Sequence, residues 1–406
     1  MSPALRQVCF INAAHSFTHY GLLVLATAVL AIVQQDAAAF GSEYGPILAL
    51  GTAMFVVYGL GALPMGWLAA RFGRKALMSA FFLGSGGAMA LAGFVSGPLG
   101  LACALALMGA FSAIYHPIGT AIIAEAGGDR VGRAMGTNGV FGNLGVALAP
   151  VVTAFLAAQF GWRVAFLVPG LLCVAIGLLY LREPAFDAHA SGVRTKPFPT
   201  IPRPIVRRAV ISLLAIATVS GLVFNAFTLL LPKLMEERLA SSPGLLPVVG
   251  LLAFLATICG GVTQFTVGRM IDRHTLKDVF MPLAIVQAPA LLALSFLDGW
   301  VVLPLSALVA AAIFGQVTVN ETMTARYVAP ALRAKLYSVR FTVGFMGAAC
   351  ASPLVGFLHE MTGNLALAMV VLAVVASVTL LCALAFPNRP EELKPELWPQ
   401  GAAAAE

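Results

Sequence analysis

The chain has 406 residues, 60% of them hydrophobic and only 10% charged. A soluble domain carries roughly 25% charged residues, and no soluble packing hides this much apolar surface, so lipid must be the solvent for much of the protein. The formal net charge of +7 is no footprint for nucleic acid, because the basic residues gather on one side of a membrane pattern, where they meet anionic headgroups.

The first apolar stretch begins near Val8 and runs to about Val33. That is too long for a signal-peptide core, and no small-residue cleavage site precedes it, so a retained first helix is expected. Twelve membrane spans are predicted in all, at 8–34, 44–68, 76–96, 98–124, 135–159, 162–182, 209–233, 244–268, 278–297, 300–325, 336–359 and 365–386. Each is long enough to cross roughly 30 Å of hydrocarbon at 1.5 Å per residue. Between the sixth and seventh, residues 183–208 are polar, hold five prolines and close with Arg207 and Arg208. That composition reads as a linker. The domains expected are a first bundle over 1–182, the linker 183–208, a second bundle over 209–390 and a tail over 391–406.

The halves repeat. Gly66 and Gly268 close the second and eighth spans 202 residues apart; Arg130 and Arg333, and Pro150 and Pro353, are 203 apart. Parallel six-helix halves are a known transporter architecture. The fold class predicted is therefore an all-α membrane protein of twelve helices in two six-helix pseudo-repeats. Of 24 Lys and Arg, 20 fall on the side that carries the termini; Arg163, Lys233 and Arg238 fall on the other, and Arg340 lies inside a span. The positive-inside rule then places both termini in the cytoplasm and the protein in a bacterial inner (plasma) membrane. Six cysteines, Cys9, Cys103, Cys173, Cys259, Cys350 and Cys382, sit in or beside apolar segments without metal-ligand spacing. They read as small apolar residues.

Polar groups within the spans carry the functional reading. His15 and His19 are four apart on the first span and share one helical face. His116 lies on the fourth span, beside Tyr115. An ionisable residue at that depth is costly unless it meets a cavity or a partner, and histidine titrates near physiological pH. The three are candidates for a proton or substrate site. Neutral histidines hydrogen-bonded between helices are a second reading, and a zinc or copper site a third. In the second half, Glu321 on the tenth span is the only carboxylate placed clearly inside a span, and Arg340 on the eleventh is a candidate either to pair with it or to bind an anionic substrate. A buried Glu suits a proton carrier, but a structural ion pair is the alternative. Asn225, with Thr228 three residues on, is a weaker cavity candidate, and Tyr58 is placed in the same space.

Three segments carry a resemblance. Gly66-Trp-Leu-Ala-Ala-Arg71-Phe-Gly73-Arg74-Lys75 resembles the signature loop of the major facilitator superfamily, with Ala70 where the family has Asp. The second-half copy, Gly268 to Arg273, keeps the acid as Asp272. The resemblance implies close helix approach at the glycines and a charge latch around Asp272 and Arg273, with Arg130 and Arg133 basic at the same face. Gly139, Gly142, Gly145 and Pro150 on the fifth span are similar to the superfamily's antiporter motif, with Ala149 replacing Gly before the proline. Small residues at this spacing also serve helix packing alone. The first-span histidines and His116-Pro117 look like the branch that includes fosmidomycin-resistance-type exporters.

The chain has no Gly-x-x-x-x-Gly-Lys-Ser/Thr loop for nucleotide and no soluble domain to hold a hydrolytic triad. The expected protein is not an enzyme. It is a secondary transporter, read as proton-coupled efflux of a small organic molecule by antiport, with proton-coupled uptake of a metabolite or metal chelate as the alternative and a non-transporting sensor behind both. The partners expected are substrate, protons and membrane lipid, with no nucleic acid, no cofactor, no resident metal, and a monomeric state.

Overall fold

The computed structural model describes residues 3–127, 131–184, 199–239 and 245–398. Among the described residues, twelve helical segments are long and apolar enough to cross a membrane: α1 (Leu5–Gln35), α2 (Tyr44–Gly61), α3 (Arg74–Ala92), α4 (Pro98–Ile123), α5 (Ala134–Phe160), α6 (Trp162–Leu181), α7 (Arg203–Leu239), α8 (Leu246–Ile271), α9 (Leu276–Phe296), α10 (Gly299–Thr324), α11 (Val339–Thr362) and α12 (Ala366–Ala385). The described residues are helical or irregular throughout, as expected where lipid leaves backbone groups no partner outside their own helix. An even number of crossings puts both chain ends at one face, called here the terminal face; the opposite one is the distal face.

The repeat is visible in the packing. In the first half α1 lies along α5, and in the second α7 lies along α11. The halves meet through α2 against α11 and α5 against α8, two pairs exchanged by the repeat. Small residues let the backbones approach. A Cβ at Gly221 of α7 would stand 2.2 Å from the carbonyl oxygen of Gly344 on α11, and one at Gly145 of α5 the same distance from that of Ser16 on α1. Between halves, a Cβ at Gly250 of α8 would lie 2.6 Å from the Pro150 carbonyl oxygen of α5. Dispersion and close fit, rather than apolar burial, hold helices together in lipid, so these contacts are the main cohesion of the bundle.

Several first-half helices are interrupted. The second span, expected as one helix over 44–68, turns at Leu50 and again over Ala62–Pro64, then restarts as Met65–Phe72. α3 contains a π-helical turn over Phe81–Ser85. α4 breaks at Ala113 and Ile114. Pro117 is the cause: it has no N–H to bond the Ala113 carbonyl, and its ring crowds that oxygen. The Thr120 hydroxyl donates back to the His116 carbonyl just beyond the break. In the second half α7 through α12 run unbroken, although prolines 232, 282, 289 and 353 lie inside helices. α7 starts at Arg203, so Arg207 and Arg208 are helical and not linker.

The distal face is closed. Gly45 at the start of α2 abuts Gly356 of α11, and a Cβ on either would fall within 2.8 Å of the other's carbonyl oxygen. The Gly45 N–H donates to Glu360 at 2.8 Å, and Ser352 donates to the Leu48 carbonyl at 2.5 Å. His359 bonds Glu237 at the end of α7 at 2.8 Å, and Lys233 pairs with Glu236 at 2.6 Å. The ends of α2, α7 and α11 are thereby tied together by charge-assisted bonds. At the terminal face, a strap beyond α12 folds under the second bundle. Glu392 accepts from the Leu276 N–H at 2.7 Å, and the buried Trp398 meets the Tyr327 ring edge-on at 6.5 Å.

Candidate functional site

The polar groups of the first half converge at mid-depth between α1, α4 and α5. Asn12, His15 and His19 recur every three or four residues, so α1 presents them on one face. His15 and His19 lie about 15 and 21 Å along the axis from Leu5, at 1.5 Å per residue. The break ahead of Pro117 brings Tyr115 and His116 of α4 against that face.

Asn138 of α5, a residue absent from the sequence candidates, organises the cluster. Its side-chain NH2 donates to Asn12 at 2.9 Å, and its side-chain oxygen accepts from the Tyr115 hydroxyl at 3.0 Å. Its backbone carbonyl lies 2.7 Å from His15 Nδ1. A carbonyl only accepts, so His15 carries its proton on Nδ1 and presents a bare Nε2 when neutral. His19 Nε2 lies 3.2 Å from that nitrogen and serves as its donor. His15 stacks on Tyr115 with centroids 4.7 Å apart, and His116 meets His15 and His19 edge-on at 5.4 and 5.7 Å. Ligand nitrogens of the three imidazoles all lie within 4.8 Å of one another.

Gly142 makes room for this arrangement. A Cβ there would stand 2.5 Å from the His15 ring. Gly145 admits the α1 backbone one turn on, while Gly139 lies beside Gln264 of α8. The small-residue stripe on α5 therefore serves two neighbours, and at Gly142 it shapes the polar cluster itself. Asn143, next to it, donates to Gln264 across the halves.

The cluster also touches the second half. His116 stacks on Phe341 of α11 with centroids 5.1 Å apart, and Phe345 packs on Tyr58 of α2 at 4.4 Å. The Tyr58 hydroxyl is buried and has no hydrogen-bond partner among the described residues. It stands beside His116, with ring centroids 6.3 Å apart.

Glu321 and Arg340 do pair, with 3.4 Å between Glu321 Oε1 and an Arg340 Nη. The burial expected of Glu321 is absent: its side chain is 46% exposed against 13% for Arg340. The reason is position. Glu321 sits one turn from the terminal-face end of α10. Arg340 is the better anchored partner, with a second bond of 2.8 Å to Thr324. Asn225 is buried, but its side chain donates at 2.8 Å to the Gly221 carbonyl of its own helix, and Thr228 is likewise satisfied within α7. Neither reaches the histidine cluster.

The signature loops stand open at the terminal face. Arg71, Gly73, Arg74, Asp272 and Arg273 are exposed, and Gly268 is partly exposed. Gly73 takes a positive φ of 82°, which favours glycine. The close helix approach expected at Gly66 and Gly268 is not made, since a Cβ at either would meet nothing within 4 Å. Arg130 lies outside the described residues, as does the side chain of Arg133.

The family model of the Major Facilitator Superfamily matches residues 8–247 and again 246–405. The chain belongs to that superfamily. The two successive matches meet at residues 246–247, the start of α8, one helix beyond the segment between the sixth and seventh spans. A search of curated protein sequences finds no significant match. Among solved structures, the chain is similar to a bacterial homologue of the human lysosomal transporter Spinster in an inward-facing, unoccupied conformation. The two share 15% identity and a TM-score of 0.69, over 95% of this chain and 98% of that one. At that identity the likeness concerns the fold. A facilitator of this kind is a multi-pass membrane protein and a secondary transporter, not an enzyme.

Proposed function

We propose that this facilitator is a proton-coupled exporter of a small organic molecule, working by antiport across a bacterial inner membrane with both termini in the cytoplasm. The observation that carries the proposal is the gathering of His15, His19 and His116 at mid-depth, with His116 stacked on Phe341 of the opposite half. Titratable groups at that depth are rare and mark proton relays or substrate paths, and imidazole changes charge near physiological pH. Protonating the cluster changes the charge where the two halves touch, and with it the relative stability of the two access states. The closed distal face and the open signature loops fit an inward-facing state under this topology.

Arg340 stands one residue from Phe341 and is paired with Glu321; an anionic cargo that displaces Glu321 is the reading its charge favours. The resemblance to fosmidomycin-resistance-type exporters points the same way, toward phosphonates. Asp272 and Arg273, exposed here, are assigned to the latch of the outward-facing state.

The test is proton movement in everted membrane vesicles holding an imposed pH gradient. Adding fosmidomycin, or another member of a phosphonate panel, should collapse the gradient with the wild-type protein. His19→Ala and His116→Ala should shift the pH at which this happens. An unchanged pH dependence in both variants would remove the cluster from the coupling path, and collapse only when the compound is loaded inside the vesicles would make the protein an importer.

A further inference from the structure

We infer that His15, His19 and His116 form a binding site for one divalent transition-metal ion of the zinc class. The inference adds a ligand to the cluster assigned above to protons, and it rests on that reading of the cluster as part of the transport path. Four observations carry it.

The first is donor geometry. A tetrahedral zinc ion bound by imidazoles at 2.0–2.1 Å needs ligand nitrogens about 3.3 Å apart. His15 Nε2 and His19 Nε2 are already 3.2 Å apart, and the His116 ligand nitrogen lies within 4.8 Å of both. Side-chain rotation of His116 closes the remainder.

The second is the orientation of His15. Metal-ligating histidines donate their other ring N–H to a carbonyl or carboxylate, which fixes the tautomer and ring plane. The Asn138 carbonyl does this at His15 Nδ1, leaving Nε2 as the lone-pair donor. Asn138 is itself held by Asn12 and Tyr115. His19 reaches the same state by moving its ring proton to Nδ1.

Space is the third. Gly142 leaves no Cβ where the His15 ring lies, so the ring is seated in a fitted slot.

The fourth is an open position. Three protein ligands with a vacant fourth is the arrangement of zinc sites that exchange ligands, as opposed to closed structural sites. The buried, unpartnered Tyr58 hydroxyl stands beside His116, placed to hydrogen-bond a fourth ligand. Three neutral imidazoles leave the full double charge of the ion uncompensated, and burial penalises that charge. The fourth ligand is therefore an anionic oxygen, from hydroxide, a carboxylate or a phosphonate.

Direct binding to the full-length chain in detergent tests this, with any polyhistidine tag removed and at mildly alkaline pH, where imidazole is neutral. Cobalt(II) serves as the spectroscopic probe and zinc as its competitor. One cobalt per chain is expected, with visible bands of a tetrahedral site that zinc abolishes. His15→Ala, His19→Ala and His116→Ala should each weaken binding by more than about tenfold, the lower range seen for losing even an outer-shell partner. His19→Gln keeps a donor to His15 and loses the imidazole, so it separates ligation from folding: it should lose cobalt and keep the wild-type melting temperature. The triple alanine variant retains His189, His274 and His359, which report adventitious binding. No cobalt bands, or bands that persist in the triple variant, would overturn the site. That result would leave the proton-driven flux of the previous section untouched, whereas flux failing with cobalt bound would overturn the transport reading alone.

Discussion

Replacing Gly356 by Ala should move the protein out of the distal-closed state. A Cβ at 356 would stand 2.8 Å from the Gly45 carbonyl oxygen, 2.9 Å from its Cα and 3.1 Å from its carbonyl carbon. All three are backbone atoms, so no rotamer relieves the clash; α2 and α11 must separate. Overpacking of this kind costs about 1–3 kcal/mol. The cost falls only on the state in which the two glycines touch. It therefore converts into a shift of roughly 5- to 150-fold in the ratio of the two access states. Separation also stretches the Gly45–Glu360 and Ser352–Leu48 bonds, at 2.8 and 2.5 Å. Leu48 is fully buried beneath this contact and provides the readout. A Leu48→Cys reporter in a cysteine-free background should react slowly with a membrane-impermeant maleimide, and several-fold faster once Gly356→Ala is added. Gly45→Ala should act in the same direction, and the two together should be less than additive because they break one contact. A lowered melting temperature with unchanged labelling would refute the argument, since the glycine pair would then be static packing.

Three further outcomes are expected. Glu392→Gln should flatten the pH dependence of thermal stability: burial, leaving the carboxylate 1% exposed, pushes the Glu392 carboxyl above its usual range, so its contribution is complete below that range and is lost as pH rises through the raised value. A melting series across the acidic and neutral range checks this, and equal slopes in the two proteins would contradict it. Arg340→Gln should destabilise more than Glu321→Gln, because Arg340 also holds Thr324 while half-exposed pairs contribute about 0–1 kcal/mol; differential scanning fluorimetry ranks them. Asp272→Asn should leave the melting temperature of this state unchanged, Asp272 being exposed, yet slow transport; normal transport would end its assignment to a latch.

Twelve spans, the repeat and the polar candidates on α1 and α4 were legible because lipid forces long apolar runs and makes each polar exception conspicuous. His15 and His19 share a face by helical spacing alone. Asn138 was missed, although it sits one residue before Gly139, because its role depends on which way α5 turns toward α1. The break in α4 was legible in principle from Pro117. Glu321 lies inside the tenth span as expected, but its half-exposed side chain was not legible: position along a span says nothing about which flank a neighbouring helix covers. The distal tie of Lys233, Glu236, Glu237 and His359 rests on a bond between residues 122 positions apart, and no local pattern announces such a pairing.

The interruptions of α2, α3 and α4 all fall in the first half, whereas α7 through α12 are continuous and braced by the strap at Glu392 and Trp398. The two bundles therefore differ in compliance. A broken helix bends at its break for little strain, while a continuous one tilts as a rod. Motion between access states should then divide unequally, the second bundle swinging as a stiff lever and the first yielding internally at breaks such as the turn ahead of His116.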